Sequence, residues 1–409
     1  MADNKDKKVL NVPALRFPEF TEEWIIQPIK EIADFIGGGT PSSTNETYWQ
    51  GTIPWVSSSD IVEDNIDDIT ISRYITEEAI SNSATKLCPA PVILIVSRVG
   101  VGKIALSRKA ICTSQDFCNL INIKTNPTFL AYSLSRIMKR KSIEAQGTSI
   151  KGITSLEIQK IILRIPCLKE QNRIADLLQL IDKRIATQNK IIDKLQSLIK
   201  GLVDSILENP SWEKVYLCSF MQFYSTNSLS WEQLSYSNGN VRNLHYGLIH
   251  GFQTSMIDST LLPRILPNYL PKQYTVCQDG DVVFTDASED TNEIGKAIEL
   301  SNTINVKTVC GLHTIHGRDI KQNTIVGFKG FAFNSRYFHD QVRRLAQGTK
   351  VYSITAKNLS SCYVYIPDMI KQENIVRLLN AYEENLSLNR TLLNKYEIQK
   401  QYLLQQMLI

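Results

Sequence analysis

At 409 residues the chain exceeds one ordinary domain, and usual domain sizes predict two or three, each able to bury its own core. Apolar residues make up 43% and charged ones 21%, with no uninterrupted apolar run of about 18 residues, so the composition is that of a soluble globular protein without a helical membrane span. The net charge of +4 is too mild to announce a nucleic-acid binder, so local charge must carry any such argument.

In chain order, Met1 to Lys8 is polar and lysine-bearing with no apolar segment behind it. Residues 1–14 therefore read as a disordered tail, not a signal peptide, and the protein is expected in the cytoplasm. A first globular part spans 15–166. Within it an apolar, strand-like run from Val92 to Val96 leads into Gly100-Val101-Gly102-Lys103-Ile104. That loop lacks the first glycine of Walker spacing, and Ile104 stands where Ser or Thr must coordinate magnesium, so Lys103 reads as a surface lysine and not as part of a nucleotide site. A compact basic cluster, Arg136 to Lys141, follows. Asp64, Asp67 and Asp68 form no recognisable nuclease arrangement and read as solvated loop charges.

From Ile174 an apolar ladder runs through Leu178, Ile181, Ile185, Ile192, Leu195, Ile199, Leu202 and Ile206 in alternating steps of four and three, a coiled-coil seam over 167–208. Pro166 precedes it where proline is tolerated, and Asn209-Pro210 blocks its continuation. A second globular part spans 209–367, with the strand-like run Val282 to Phe284 before Gly295-Lys296, and a sparser basic group of Arg336, Arg343 and Arg344. A second ladder over 368–409 runs Ile375, Leu379, Tyr382, Leu386, Leu393, Tyr396, Leu403 and Met407, interrupted by Lys400. Each helix is expected to hold about 40 residues and span roughly 60 Å. Gln188 and Asn389 occupy the missing rung of each ladder, near the helix midpoints, where an antiparallel pairing brings them face to face to fix register.

The second half repeats the first. Gln146-Gly147-Thr148 and Ile153-Thr154 return as Gln347-Gly348-Thr349 and Ile354-Thr355, an offset of 201 positions. At that offset, without a gap, Ile165-Pro166 meets Ile366-Pro367, Gln171 meets Gln372, Leu177-Leu178 meets Leu378-Leu379 and Lys194 meets Lys395. This marks an internal duplication. Upstream the copies diverge: Trp24 and Trp212 open them, but Ile53-Pro54-Trp55-Val56 has only a loose counterpart in Leu244-His245-Tyr246-Gly247. The pattern implies shared architecture with separate recognition.

Eight cysteines form no Cys-x-x-Cys pair and read as reduced core thiols. Cys310, His313 and His316 would converge on a metal from a helical turn, but Lys307 to Ile315 reads as extended and offers no fourth ligand. No metal is expected there.

Gly38-Gly39-Thr40-Pro41-Ser42, Ile53-Pro54-Trp55-Val56, Gln146-Gly147-Thr148, Ile165-Pro166 with Glu170-Gln171, Ile174-Ala175 and Ile181-Asp182 stand in an order that resembles the specificity subunits of type I restriction-modification systems over nearly the whole chain. The resemblance implies an α+β protein. Two α/β target-recognition domains alternate with two long helices that pair as an antiparallel coiled coil and set the gap between two half-sites on double-stranded DNA. It implies no catalysis in this chain. The expected partners are two modification (methyltransferase) subunits and motor-nuclease restriction subunits, with S-adenosylmethionine, ATP and Mg bound on those partners. The second copy departs from the pattern: Lys371-Gln372 replaces Glu170-Gln171, and no Gly-Gly-Thr-Pro follows Trp212.

Phosphate contacts are expected from Lys139, Arg140, Lys141 and Lys151 in the first domain and from Arg343, Arg344 and Lys350 in the second. The Gln-Gly-Thr segments read as tight turns before the last strand, or as backbone amides set against phosphate. Base readers are expected after the apolar strands: Ser97, Arg98 and Lys103 in the first domain, Asp286, Ser288 and Lys296 in the second. Two other classes compete. One is a scaffold whose coiled coil is the function, separable by salt-sensitive DNA binding. The other is a self-sufficient restriction enzyme, against which the absence of any Pro-Pro methyltransferase loop or helicase motif argues.

Overall fold

A computed structural model describes residues 11–145, 152–252, 254–304 and 306–409. The chain divides into two compact units, Met1–Asn189 with Leu392–Ile409, and Lys190–Thr391. Two long helices, Leu168–Leu207 and Met369–Met407, each contribute one part to each unit. Their lengths, 40 and 39 residues, follow from apolar ladders that run on past the polar rungs Gln188, Asn389 and Lys400, bounded by Pro166 and Pro367 on one side and Asn209-Pro210 after the first.

In the first unit two four-stranded sheets carry the globular body. One orders Asp34–Gly37, Cys118–Ile121, Val92–Ile95 and Ile104–Ser107, all antiparallel. The other orders Arg73–Ile75, Ile53–Val56, Ile111–Thr113 and Leu87–Cys88, with Ile53–Val56 parallel to Ile111–Thr113. Val92–Ile95 is buried at every position, as an unbroken apolar run requires. Pro127 opens the helix Pro127–Ala145, where its missing N–H costs nothing. Ile174, Leu178 and Ile181 of the first long helix share one core with Leu403, Leu404 and Met407 of the second and with Trp24, Phe129 and Tyr132 of the body. The seam residues here serve the globular core as well as the helix pair. Because low numbers on one helix meet high numbers on the other, the two segments run antiparallel.

The N-terminal segment is tied down earlier than residue 15: Asn11 donates to the Trp24 carbonyl, and the Trp24 amide donates back to Asn11. Met1 to Lys8 lies outside the described residues.

The second unit has a five-stranded sheet, ordered Met221–Tyr224, Thr314–Asp319, Val282–Thr285, Ala297–Ser301 and Met256–Asp258. A four-stranded sheet orders Leu234–Ser235, Arg264–Ile265, Arg242–Leu244 and Thr308–Cys310. The structural counterpart of Ile53–Val56 is Arg242–Leu244, parallel to Thr308–Cys310 as Ile53–Val56 is to Ile111–Thr113; of the sequence candidate Leu244-His245-Tyr246-Gly247 only Leu244 is in the strand, because His245 caps the helix Tyr246–Gly251. Ile199, Leu202, Val203 and Leu207 pack with Ile375, Val376 and Leu379 in this unit's main core.

The duplication holds residue by residue. Ile25–Pro28 pairs antiparallel with Ile162–Ile165, and Glu213–Tyr216 pairs antiparallel with Tyr363–Ile366. A short helix precedes each last strand, Ser155–Gln159 and Ala356–Ser360, and each opens with a capping box, Thr154 with Glu157 and Thr355 with Asn358. Gln171 and Gln372 then make the same clamp. Gln171 donates to the Pro166 carbonyl at 2.8 Å and accepts from the Asn126 amide at 2.9 Å; Gln372 donates to Pro367 at 3.0 Å and accepts from Ile325 at 2.9 Å.

Two departures in the second copy have plain causes. Buried Glu170 receives a bidentate pair of bonds from Arg16, both 2.7 Å, which holds the Arg16 guanidinium above its usual pKa. Its counterpart Lys371 is exposed and bridges Asp368 at 2.8 Å. The glycines of Gly38-Gly39 exist for close backbone crossing. A Cβ on Gly38 would lie 2.0 Å from the Ser114 carbonyl oxygen, and one on Gly39 2.4 Å from Ala84. Trp55 completes the motif by donating its indole N–H to the Gly39 carbonyl at 2.9 Å. In the second unit Asn227 takes that place, bonding the Cys310 carbonyl through its amide N–H at 3.0 Å, as Gly39 bonds Thr113 at 2.8 Å.

Candidate nucleic-acid interface

The loop after the central strand is built alike in both units. In the first, Val96 donates to Lys103 at 3.0 Å, Gly102 donates to Val96 at 3.2 Å, and Ile153 donates to Ser97 at 2.8 Å. In the second, Thr285 donates to Lys296 at 3.0 Å, Gly295 donates to Thr285 at 3.1 Å, and Ile354 donates to Asp286 at 2.9 Å. Gly102 and Gly295 both have positive φ, 103° and 69°, which only glycine adopts without strain. Ser97 and Asp286 thus hold one structural position, as do Lys103 and Lys296.

Side chains on these frames differ. Ser97 is buried, and its hydroxyl donates to the Asp116 carbonyl at 2.9 Å. Arg98 beside it is exposed and lines a cavity of about 1030 Å³ with Gly38, Gln115, Gly152 and Glu157. In the second unit Asp286 is half-buried and sits 3.2 Å from His313 Nδ1, whose ring meets Tyr246 edge-on at 5.3 Å. Burial, with His313 nearby, lowers the pKa of His245, which stacks on Tyr246 at 4.6 Å. Ser288 pairs with Tyr352 and accepts from the Asp290 amide.

Lys103 and Lys296 are turned onto the fold. Lys103 Nζ donates to the Ile61 carbonyl and Lys296 Nζ to the His250 carbonyl, both at 3.1 Å, and Lys296 also bridges Glu293. A backbone carbonyl within reach of each ammonium draws it inward, a contact that the outward-facing reading of Lys103 did not foresee.

The basic cluster of the first unit lines a groove of about 860 Å³ with Arg136, Lys139, Arg140, Lys141, Lys160 and Arg164. Lys139 is paired with Asp64 at 2.6 Å, whereas Arg140 is exposed and loosely bridged to Glu144 at 3.5 Å. Burial and the neighbouring Arg140 and Arg164 lower the pKa of Arg136. Lys160 and Arg164 were missed in sequence because they stand alone, after the cluster has ended. Lys151 and Gln146-Gly147-Thr148 lie outside the described residues.

In the second unit Arg343 bonds Asn292 and lies 3.6 Å from Asp340; Arg344 and Lys350 are exposed. Gln347 and Ser353 exchange backbone bonds of 3.0 and 2.8 Å, so this Gln-Gly-Thr opens the loop 348–352, with Gly348 at φ 130°. Arg343 and Lys296 line a cavity of about 510 Å³ with Lys200, Arg336 and Glu383. Gln188 is buried in its helix, and the Asn389 amide donates to the Asn385 carbonyl at 2.8 Å.

Comparison with known proteins matches residues 21–197 to the type I restriction modification DNA specificity domain. The chain is 30% identical over 186 residues to the type I restriction enzyme MjaIX specificity subunit of Methanocaldococcus jannaschii, covering 42% of each protein. It is 32% identical over 178 residues to the EcoR124I/EcoR124II specificity subunit of Escherichia coli, covering 41% of this chain and 43% of that one. The aligned part thus spans about two fifths of these relatives' length. A longer match, 21% identical, covers 97% of this chain and 93% of the MjaVIII specificity subunit of M. jannaschii. The fold matches a type I restriction-modification S subunit from M. genitalium with a TM-score of 0.58 and 16% identity, over 97% of this chain and 99% of that one. Residues 21–197 thus match a type I restriction modification DNA specificity domain, and the fold follows that of a type I S subunit along nearly the whole chain.

Proposed function

We propose that the chain reads a split, asymmetric DNA site, one recognition domain per half-site, and lends that reading to separate catalytic subunits. The observation that supports this most is one loop frame used twice with different side chains: Ser97-Arg98 in one unit, Asp286 and Ser288 in the other. Identical frames with different contact residues are what two half-sites of different sequence require.

In this reading Arg98 pairs with a guanine and Asp286 accepts from a cytosine amine, while Arg140, Lys141, Lys160 and Arg164 take phosphates in the first unit and Arg344 and Lys350 in the second. The long helices set the unread gap. The chain itself performs no catalysis; two modification subunits with S-adenosylmethionine methylate adenine, and restriction subunits with ATP and Mg cut unmodified DNA. Co-expression with the neighbouring modification subunit, followed by single-molecule sequencing of host DNA, tests this directly. The expected product is methyladenine in two short blocks around an unread gap. A stable complex without new methylation favours the scaffold reading instead.

A further inference from the structure

Cys277, Cys310 and His316 lie apart in sequence and meet inside the second unit. All three are at most 3% exposed, the two thiol sulfurs are 3.4 Å apart, and the three ligand atoms lie within 4.8 Å of one another. Strand Thr308–Cys310 brings Cys310, strand Thr314–Asp319 brings His316, and the Cys277 amide is tied to the Thr308 carbonyl at 2.8 Å.

The histidine is prepared as a ligand. Its Nε2 faces Asp281 at 2.7 Å, and Asp281 is held in turn by Arg318, at 2.8 and 2.7 Å, and by the Gln278 amide at 2.8 Å. Among the described residues Nδ1 has no hydrogen-bond partner, although the ring is buried and lies tilted against Tyr224 at 5.0 Å. Core packing accounts for two buried thiols. It does not account for a buried imidazole oriented by a carboxylate on one nitrogen and orphaned on the other, which is the arrangement of a metal-ligating histidine.

We propose that Cys277, Cys310 and His316 bind a zinc ion, with Asp281 as the carboxylate that orients His316. Two thiolates and a neutral imidazole suit zinc by softness and geometry. Charge also balances: the two thiolates offset the dication, Arg318 offsets Asp281, and the two thiol protons displaced on binding pass to solvent. A cavity of about 260 Å³ lined by Thr226, Asn227, Tyr274 and Cys310 adjoins Cys310, and the fourth ligand would be a solvent molecule entering from that side. His313, three residues from either end of the sequence triplet, is turned away. It adopts a positive φ of 53° and faces Asp286, and Cys277 takes the place that spacing alone would have given it. The ion would staple two strands and the Cys277 loop behind the second recognition surface, whatever DNA that surface reads.

The full-length chain, purified after growth with zinc and passed through a desalting column, should retain one zinc per chain by elemental mass spectrometry. Cobalt exchanged into it should show thiolate-to-metal charge-transfer absorption and the intense visible bands of four-coordinate cobalt. Cys277→Ser and His316→Ala should each lose metal and bands, while Cys218→Ser, at an exposed thiol, keeps both. Should the core variants fail to fold, alkylation of the wild-type chain decides: Cys277 and Cys310 should react faster after chelator than before it, and Cys88 should not change. Wild-type chain that holds no zinc, cobalt bands that survive Cys277→Ser, or a Cys277–Cys310 disulfide in chain purified without reductant would each overturn the site.

Discussion

Lys400 and Asp182 form an ion pair of 2.5 Å in the first unit, both less than a tenth exposed. Tyr132 donates to the same carboxylate at 2.6 Å, and Lys400 also donates to the Asp64 carbonyl. The residue that interrupts the second apolar ladder is therefore a specific partner, not a flaw in the seam. Removing one member strands a buried charge, so Lys400→Met should destabilise the chain by about 3 to 5 kcal/mol, whereas Lys400→Met combined with Asp182→Leu should recover most of the loss. Urea unfolding of the three proteins, followed by tryptophan fluorescence, measures both values.

Position 182 has its duplicate in Glu383, but position 400 has Ile199 as its counterpart, so the second unit lacks the matching cation there. Burial raises the pKa of Glu383, and the bond from the Ser255 amide at 2.9 Å only partly offsets it. A carboxyl raised above its unfolded value stabilises fully below the ordinary carboxylate range and loses that contribution as pH rises through the folded value. Glu383→Gln should therefore raise the melting temperature at pH 7 and leave it nearly unchanged near pH 4. An equal gain at both values would contradict the assignment.

Gln171 and Gln372 predict equal behaviour in the two units. Each alanine variant strands a buried amide and a carbonyl, worth about 1 to 3 kcal/mol per group left unsatisfied. Hydrogen exchange should rise at Asn126 in Gln171→Ala and at Ile325 in Gln372→Ala, with each variant leaving the other unit's amide protected.

Arg98→Ala should relax base preference in one half-site and leave the other unchanged, read as methylation across a panel of single-base substitutions by the complex with its modification subunit. Unchanged specificity in both halves would remove Arg98 from the base-reading set.

Arg140→Ala, Lys160→Ala and Arg164→Ala should weaken DNA binding evenly across sequences. For each true phosphate contact the slope of log affinity against log salt should fall by about 0.9. Fluorescence anisotropy with cognate and scrambled duplexes from low to moderate salt reads this out, and a slope that does not change excludes the residue concerned.

The duplicated frame was legible in the sequence because its parts are local and repeated. The 201-residue offset carries the last strand, the capped short helix, the clamp glutamine and the long helix through both copies. Proline boundaries and four-three apolar spacing need no knowledge of distant partners, since they act through adjacent backbone and one helical face. The tertiary structure alone decided what depends on groups far apart in the chain. Lys400 finds Asp182 across 218 positions, Arg16 finds Glu170 across 154, and Lys103 turns to a carbonyl 42 residues earlier. Cys277 joins Cys310 and His316 while His313, nearer in sequence, turns out to Asp286. Buried charges and polar atoms must find partners wherever the fold presents them, and sequence spacing does not record that demand.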